Sequence, residues 1–363
     1  MKIALISFTF IIMLLSKNAW AIIKFEDAIF PELVISTRAQ AMGNAFIAKV
    51  DDASAAFYNP AGLGSHRRKV RFRLSSFYLE TNQGLLDTTI FDTFKQSFDI
   101  ENNRQILLVN RGIISHSRFQ LMPNFTYKNL TAGFLYSRRS RATIGNSPTA
   151  MYEFAQRSDA GPYVGVNYSF WGGVLKFGAT GTLLFRREII TERDRTIPLN
   201  INSDNFDRGR AFMVTGGARL TLPIKYLPTC GVTLHNVTNT DFTASSSGTG
   251  APAKKRQSLD AGCSLTMILK NRSKLHFEVN LKDIGNDFTE VDERRKLGIG
   301  IEYDFSRFSY LRFGYGDGFG SAGLGFRTRA LDFNLTTYAV DTTSAEFQGE
   351  QDRRYSAELS IGF

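Results

Sequence analysis

The sequence has little cysteine, histidine, tryptophan or proline. Two cysteines and four histidines among 363 residues are too few for a zinc ribbon, an iron–sulfur cluster or a disulfide framework. Only 9 prolines stand beside 31 glycines, 31 phenylalanines and 13 tyrosines, a balance that favours strands with tight turns over helical bundles. With 43% hydrophobic and 21% charged residues, the chain is too apolar for a disordered protein. An all-β fold is the first prediction.

Long hydrophobic runs are also missing. No stretch beyond the N-terminus reaches 18 apolar residues, which excludes helical membrane spans. Residues 1–21 combine Lys2, an apolar region and an Ala-Trp-Ala site, which predicts a signal peptide cleaved after Ala21. The net charge of +10 would suit nucleic acid, anionic lipid or a basic pore. Export removes nucleic acid from this set and leaves the periplasm or outer membrane of a Gram-negative bacterium.

Apolar and polar residues alternate over much of the chain. Leu275, Phe277 and Val279, for example, alternate with His276 and Glu278, a pattern typical of a strand with one apolar and one polar face. The polar faces carry charges that a lumen would hold, among them Lys282, Glu278, Glu302, Asp304, Arg312 and Glu358. The same criterion predicts fourteen strands, at 70–81, 116–127, 130–144, 149–170, 173–190, 209–224, 229–237, 257–269, 274–283, 294–304, 309–316, 319–328, 331–340 and 352–363.

The connections between these strands alternate in length. Every connection longer than four residues falls at an odd position in the series, so all long loops lie at one end. Transmembrane β-barrels have short periplasmic turns and longer extracellular loops, and closure removes the sheet edges that lipid cannot satisfy. We therefore expect a transmembrane antiparallel barrel of about fourteen strands over residues 70–363. A soluble β-sandwich or other periplasmic β-protein is the alternative.

Residues 22–69 do not alternate, yet they are apolar and rich in alanine. Asp51 and Asp52 can cap a short helical turn, and Asn59-Pro60-Ala61-Gly62 can end it, because proline blocks a helix and glycine permits positive φ. A fourteen-stranded barrel leaves a lumen. We expect this segment to lie there as a hatch or plug, with a disordered periplasmic extension as the alternative.

The stretch 38–63, RAQAMGNAFIAKVDDASAAFYNPAGL, resembles the N-terminal hatch of the FadL/TodX outer-membrane transporter superfamily, especially its PorV-like branch. The segments 312–318, 322–326 and 352–355 also resemble family members. The resemblance implies a passive transporter or channel for small hydrophobic molecules, either long-chain fatty acids or aromatic hydrocarbons. The PorV-like branch implies instead a scaffold for a secreted or surface-attached protein. The hatch residues that carry the motif are Arg38, Gly43, Asp51, Asp52, Asn59, Pro60 and Gly62.

The predicted lumen has a composition that argues against carriage of a hydrophobic molecule. Its inward faces are rich in glycine, serine, threonine and charge, with no evident Phe/Leu/Met cluster to line an acyl pocket. The first long loop, 82–115, has helical spacing of apolar residues, which predicts either a lid over the mouth or a helix packed on the rim. The residues of this predicted lid are Leu86, Ile90, Phe91, Phe94 and Phe98.

Arginines fall at the predicted extracellular strand ends, where they can pair with lipopolysaccharide phosphates or serve as solvated rim charges. They are Arg138, Arg139, Arg141, Arg186, Arg187, Arg193 and Arg195. Outer-membrane lipids and lipopolysaccharide are therefore expected partners.

The remaining motifs concern the cysteines, catalysis and assembly. Cys230 and Cys263 face lipid on neighbouring strands, where small apolar fillers are favoured over a disulfide. His235 and His276 lack a nucleophile motif, so we predict no enzyme, catalytic residue, metal or cofactor. The C-terminal residues that alternate up to the final phenylalanine predict an assembly signal for the barrel-assembly machinery, made of Tyr355, Leu359, Ile361 and Phe363.

Overall fold

The computed structural model describes residues 33–65, 70–88, 92–245, 248–343 and 346–362. The predicted signal peptide (1–21), the first part of the predicted hatch (22–32), Ile90, Phe91 and Phe363 lie outside the described residues.

Fourteen antiparallel strands form the wall of a closed barrel, with each strand paired to the next and β1 paired to β14. The fold and the strand number predicted from alternation are confirmed. The strands are β1 (Val70–Asn82), β2 (Ile114–Leu121 and Asn124–Tyr127), β3 (Leu130–Ile144), β4 (Tyr152–Phe170), β5 (Leu175–Arg193), β6 (Asp207–Thr221), β7 (Thr229–His235), β8 (Ser258–Ile268), β9 (Lys274–Leu281), β10 (Leu297–Phe305), β11 (Ser309–Gly316), β12 (Phe319–Arg327), β13 (Leu331–Asp341) and β14 (Gln351–Gly362).

Strand β2 consists of two pieces because Pro123 interrupts its hydrogen bonding. Proline has no N–H to donate to a ladder, and the two pieces pair with the same neighbours, β1 and β3. A further two-residue strand, Thr243–Ala244, pairs with the start of β6 and belongs to a loop. Fifteen of the sixteen segments therefore make the fourteen barrel strands.

The two faces of the wall differ as alternation predicts. On β14, Tyr355 is exposed whereas Arg354 and Ser356 are buried. The neighbouring strands present the exposed Leu79 and Leu335 on either side of Ala357, which faces outward with Tyr355. The outer face carries a band of exposed apolar side chains that lipid can cover. Because the inner face is polar, the mean hydropathy of the chain is only −0.17.

The helices are short. They are α1 (Thr37–Ala41), α2 (Ala55–Tyr58), α3 (Gln83–Leu86), α4 (Asp92–Gln96) and α5 (Ile100–Val109), with 3₁₀ turns at Pro60–Ser65, Trp171–Gly173, Ser203–Asn205, Lys270–Arg272 and Glu293–Lys296. None of the described helices is long and apolar enough to cross a membrane. Helices α3 to α5 lie between β1 and β2, at what we call the long-loop end of the barrel.

The two cysteines form a disulfide between β7 and β8. Cys230 and Cys263 are directly opposite in the register, with Cα atoms 4.1 Å apart. The expectation that they act as unpaired apolar fillers is wrong, because closely opposed residues on antiparallel strands bring their side chains together.

Candidate functional site: the segment inside the barrel

Residues 33–65, which we call the lumenal segment, lie inside the barrel. Nearly all of their side chains are buried, and they contact inward-facing residues of strands from β1 round to β14. Helix α1 lies against β11 to β14, whereas the 3₁₀ turn Pro60–Ser65 lies against β4, β5 and β6. The segment therefore crosses the lumen from one wall to the other.

A buried arginine joins the lumenal segment to the wall. Arg38 donates from Nε and Nη2 to the two carboxylate oxygens of Glu302, both at 2.7 Å. Glu302 also accepts from Arg312 Nε at 2.7 Å, and Arg38 Nη1 reaches Asp51 at 2.5 Å. This bidentate geometry is the strong form of a charge-assisted hydrogen bond. Arg38 thus links two parts of the lumenal segment to β10 and β11.

These contacts shift the protonation equilibria of the segment. Burial alone would raise the pKa of Asp51, but the charge of Arg38, with Lys49 and Arg327, lowers it well below its usual range. Burial alone would lower the pKa of Arg38, but Glu302 and Asp51 raise it above its usual value. Both groups are therefore charged throughout the physiological pH range, and the linkage is a permanent one.

Wall side chains satisfy the irregular main chain of the segment. Glu358 accepts from the Thr37 N–H and hydroxyl at 3.2 and 2.7 Å, and Glu278 accepts from the Ala48 N–H at 2.7 Å. Gln120 both donates to and accepts from the main chain of Ile35, each at 3.1 Å. Buried backbone groups without regular structure need such partners, so the polar inner face is fitted to this segment.

The Asn-Pro-Ala-Gly motif forms the turn after α2. Asn59 Oδ1 accepts from the Ala61 N–H at 3.0 Å, and its amide donates to the Ile47 carbonyl at 3.1 Å. Pro60 begins the 3₁₀ turn, where its missing N–H costs nothing. Before α2, Asp52 accepts from the Ser54 N–H at 2.9 Å, whereas Asp51 binds Arg38.

Wall glycines let the motif approach the strands directly. A Cβ atom added at Gly178 would lie 2.2 Å from the Pro60 carbonyl carbon, and one at Gly217 would lie 2.2 Å from Asn59 Oδ1. On the opposite wall, a Cβ at Gly314 would lie 2.2 Å from the Gly43 nitrogen. Gly43 itself has a φ of +60°, which favours glycine. The lumenal segment is therefore in backbone contact with both walls.

One side of the lumen is apolar. Leu135, Tyr163, Leu184 and Met213, which we call the apolar strip, are buried in one cluster with the lumenal segment. Leu135 lies opposite Gly161, which in turn lies beside Leu184, and Thr182 lies opposite both Tyr163 and Met213, so the strip occupies two adjacent rows of the wall. The expectation of a lumen without such a cluster is wrong for this wall.

The lumenal segment covers the apolar strip with aromatic and aliphatic side chains. Phe57 packs edge-to-face on Tyr163, with ring centroids 4.9 Å apart, and Leu63 lies against Gly165. Across the segment, a small recess is lined by groups that include His235, Asp260 and Lys282. The two sides of the segment therefore face chemically different surroundings.

Phe94 and Phe98 of the predicted lid lie on the outside of the wall. Arg138 and Gln156 donate to the Phe98 carbonyl at 2.8 and 2.7 Å, and Phe94 packs edge-to-face on Phe98. Arg138 is four residues along β3 from the exposed Phe134, so it faces outward. Leu86, at the end of α3, is half-buried. Helices α4 and α5 thus pack on the outer face of strands that extend beyond the apolar band.

The rim arginines divide between the two faces. Arg139, Arg141 and Arg186 are buried on the inner face, where Arg186 pairs with Asp159 at 2.7 Å. Arg187 faces outward beside Phe206. The exposed Arg193 ends β5, and Arg195 donates to the Ser147 carbonyl at 2.9 Å.

Sequence reasoning placed Glu278, Glu302 and Glu358 on the lumen side but missed Gln120, Arg118 and Asn167 as partners of the lumenal segment. Arg118 and Asn167 donate to the Leu33 and Ala61 carbonyls, both at 2.7 Å. The position of Gln120, Arg118 and Asn167 on the inward side of the apolar–polar alternation was the sequence signal that could have identified them.

No family model and no curated protein matches this sequence, but solved structures share its fold. A deltaS2S3 mutant of the monoaromatic hydrocarbon channel TodX matches with a TM-score of 0.56 at 11% identity, covering 90% of this chain and 98% of that one. The monoaromatic hydrocarbon channel CymD matches with a TM-score of 0.52 at 11% identity, covering 90% of this chain and 96% of that one. The Ralstonia pickettii toluene transporter TbuX matches with a TM-score of 0.51 at 10% identity, covering 90% of this chain and 97% of that one. The chain therefore has the barrel fold of these channels.

Proposed function

We propose that the protein is an outer-membrane channel for the passive passage of small hydrophobic molecules, and that the lumenal segment is its hatch. The fold shared with monoaromatic hydrocarbon channels supports this. The observation that carries the proposal is the apolar strip, because a hydrophobic solute needs an apolar surface inside an otherwise polar lumen.

The hatch moves on its apolar side in this proposal. Its opposite side is held to β10 and β11 by the Arg38–Glu302 ion pair, whereas the side chains of Phe57 and Leu63 pack on the apolar strip and Asn167 donates to the Ala61 carbonyl beside them. A hydrophobic solute that enters along the strip replaces Phe57 on Tyr163. The apolar area buried by the solute offsets the area that Phe57 loses, at about 25 cal/mol per Å².

Solute binding tests the proposal directly. Purified protein is titrated with labelled toluene and, separately, with a labelled long-chain fatty acid, and the bound solute is measured at equilibrium. We expect Leu184→Gln to weaken binding about tenfold, because a polar group then stands in the apolar strip. Phe185→Gln, at the next position on the outer face, is the control and leaves binding unchanged. Absence of saturable binding by either solute would contradict the proposal.

A second function, a PorV-like scaffold for a secreted or surface-attached protein, is supported by the ordered long-loop end. Arg104 binds Glu101 in α5 and the Arg195 carbonyl of another loop, and Val109 at the end of α5 is 85% exposed. A photo-crosslinking amino acid at residue 109 would capture the partner in cells. The same group at residue 329, on a turn at the other barrel end, is the control. Crosslinking at 109 with no solute binding would favour the scaffold.

The cellular placement belongs to the same proposal. The chain is exported to the outer membrane of a Gram-negative bacterium with cleavage after Ala21, and it has no enzymatic activity. The barrel-assembly machinery recognises the outward-facing Tyr355, Leu359 and Ile361 together with Phe363. N-terminal sequencing of the mature protein tests the cleavage site. Normal surface levels of a chain lacking Phe363 would contradict the assembly signal.

A further inference from the structure

Three arginines form a row across neighbouring strands of the outer face. Arg138 on β3 lies opposite Ser158 on β4, Ser158 lies opposite Arg187 on β5, and Arg187 lies opposite Arg208 on β6. We call Arg138, Arg187 and Arg208 the arginine row. Each is two or four residues along its strand from an exposed phenylalanine, namely Phe134, Phe185 or Phe212, so all three face outward.

The arginine row lies at the upper edge of the lipid-facing band. Towards the short-turn end, the same strands present the exposed Phe134, Phe185 and Phe212. Towards the long-loop end, a buried cluster on the outer face covers the strands with α5 and the loop before β6. That cluster contains Leu107, Ala142, Ile144, Tyr152, Phe154, Ile189 and Phe206. The row is therefore the boundary between a surface for acyl chains and a protein cap.

The arrangement concentrates positive charge. Arg187 and Arg208 are directly opposite each other, and like charges in such pairs destabilise a sheet. Within the described part of the chain, Arg138 and Arg187 have no carboxylate ion pair. Their guanidinium groups lie over Phe98 and Phe206, 5.3 and 3.8 Å from the ring centroids. These rings hold the planar groups in place but do not neutralise them.

We propose that the arginine row binds the phosphate groups of a phosphorylated glycolipid of the outer leaflet, with its acyl chains on the apolar band below. Guanidinium groups bind phosphate bidentately. The row spans three inter-strand spacings, about 14 Å, which is room for more than one phosphate. Arg210, exposed one level below, adds a fourth positive charge. The inference rests on the proposed outer-membrane location but not on transport.

The test compares two triple variants of the full-length protein, purified in detergent free of lipopolysaccharide. Arg138→Gln/Arg187→Gln/Arg208→Gln removes the row. Arg272→Gln/Arg307→Gln/Arg329→Gln removes three exposed arginines from turns at the opposite end and is the charge-matched control. Diphosphorylated lipid A is titrated into each protein and bound lipid is counted by native mass spectrometry.

We expect the row variant to bind lipid A at least about tenfold more weakly, while the control binds within about twofold of the wild type. Dephosphorylated lipid A should bind wild type and row variant equally, and 500 mM salt should weaken only the phosphorylated form. Equal binding of lipid A by the row variant and the wild type would overturn the proposal. If inorganic phosphate displaced lipid A at equal concentration, the row would be a site for free phosphate, and the claim that it binds a glycolipid would be refuted.

Folding and transport have separate measurements. The row variant loses like charges but also the Arg138 hydrogen bond to the Phe98 carbonyl and the ring contacts. Its folding is therefore checked by its melting temperature in lipid-free detergent, and only the wild type should be stabilised by lipid A. The single variant Arg187→Gln gives a second test, with about threefold weaker lipid A binding expected. Toluene binding should be the same in all these proteins, so failure of the transport proposal would be distinguishable.

Discussion

Replacing Arg38 with methionine should release the lumenal segment while leaving the barrel intact. The arginine side chain is 5% exposed and makes two 2.7 Å bonds to Glu302 and one 2.5 Å bond to Asp51. Removing one partner of a buried pair costs about 3–5 kcal/mol, because the remaining charge is left without compensation. Arg312 still neutralises Glu302, so we expect the lower value. About 3 kcal/mol raises the population of undocked segment roughly 100-fold.

Two measurements detect this release. Amide hydrogen exchange of residues 33–65 should accelerate by roughly the same 100-fold factor, because exchange from a locally opened state follows its population. Conductance in planar bilayers should rise, since the undocked segment no longer fills the lumen. Arg294→Met is the matched control: Arg294 is 67% exposed and pairs with Asp292 at 2.8 Å, an arrangement worth about 0–1 kcal/mol.

The reasoning would be refuted by Arg38→Met protein with wild-type exchange in residues 33–65 and wild-type conductance. Accelerated exchange in β10 and β11 as well as in the lumenal segment would also contradict it, because the barrel ladder would then depend on Arg38. A deletion of residues 22–69 sets the upper limit for the conductance that release can give.

Three further predictions follow from other contacts. Gly217→Ala places a Cβ against Asn59 and should weaken docking of the lumenal segment by about 1–3 kcal/mol, so conductance should rise. Gly320→Ala is the control and should leave conductance unchanged, because a Cβ at Gly320 would enter open space. Because the pKa of Asp51 is lowered, the stabilisation that Asp51 gives to docking of the lumenal segment is present above its unfolded pKa of about 3.9 and is lost only as pH falls below that value. Conductance should therefore be constant from pH 8 to pH 5, and an increase in conductance at pH 6 would contradict this. Cys230→Ser/Cys263→Ser should lower the free energy of unfolding by up to about 3–4 kcal/mol for a closed loop with a separation of 33 residues, measured by urea unfolding with and without reductant.

Alternation along single strands carried enough information to predict the wall. Tyr355 faces outward and Arg354 inward as their positions require, and the bounds of β11 match the prediction. The break in β2 had a local cause in Pro123. Such features depend on neighbours in the sequence, so a sequence can reveal them.

The contacts of the lumenal segment could not be predicted in this way. Arg38 and Glu302 are 264 residues apart, and no periodicity relates them. The apolar strip was missed for a similar reason: Leu184 has Thr182 and Arg186 as its inward neighbours along the strand, so it meets Leu135 only across neighbouring strands, through Gly161. The helical spacing of Phe94 and Phe98 predicted a helix but not which face of the wall it meets.

The Arg38–Glu302–Arg312 contact also sets an order of events during folding. Arg38 leaves the ribosome long before β10 and β11, and its binding site exists only once those two strands lie side by side. Its second wall, at Gly178 and Gly217, belongs to a different pair of strands, β5 and β6. The part of the described chain that is synthesised first is therefore among the last to reach its final position.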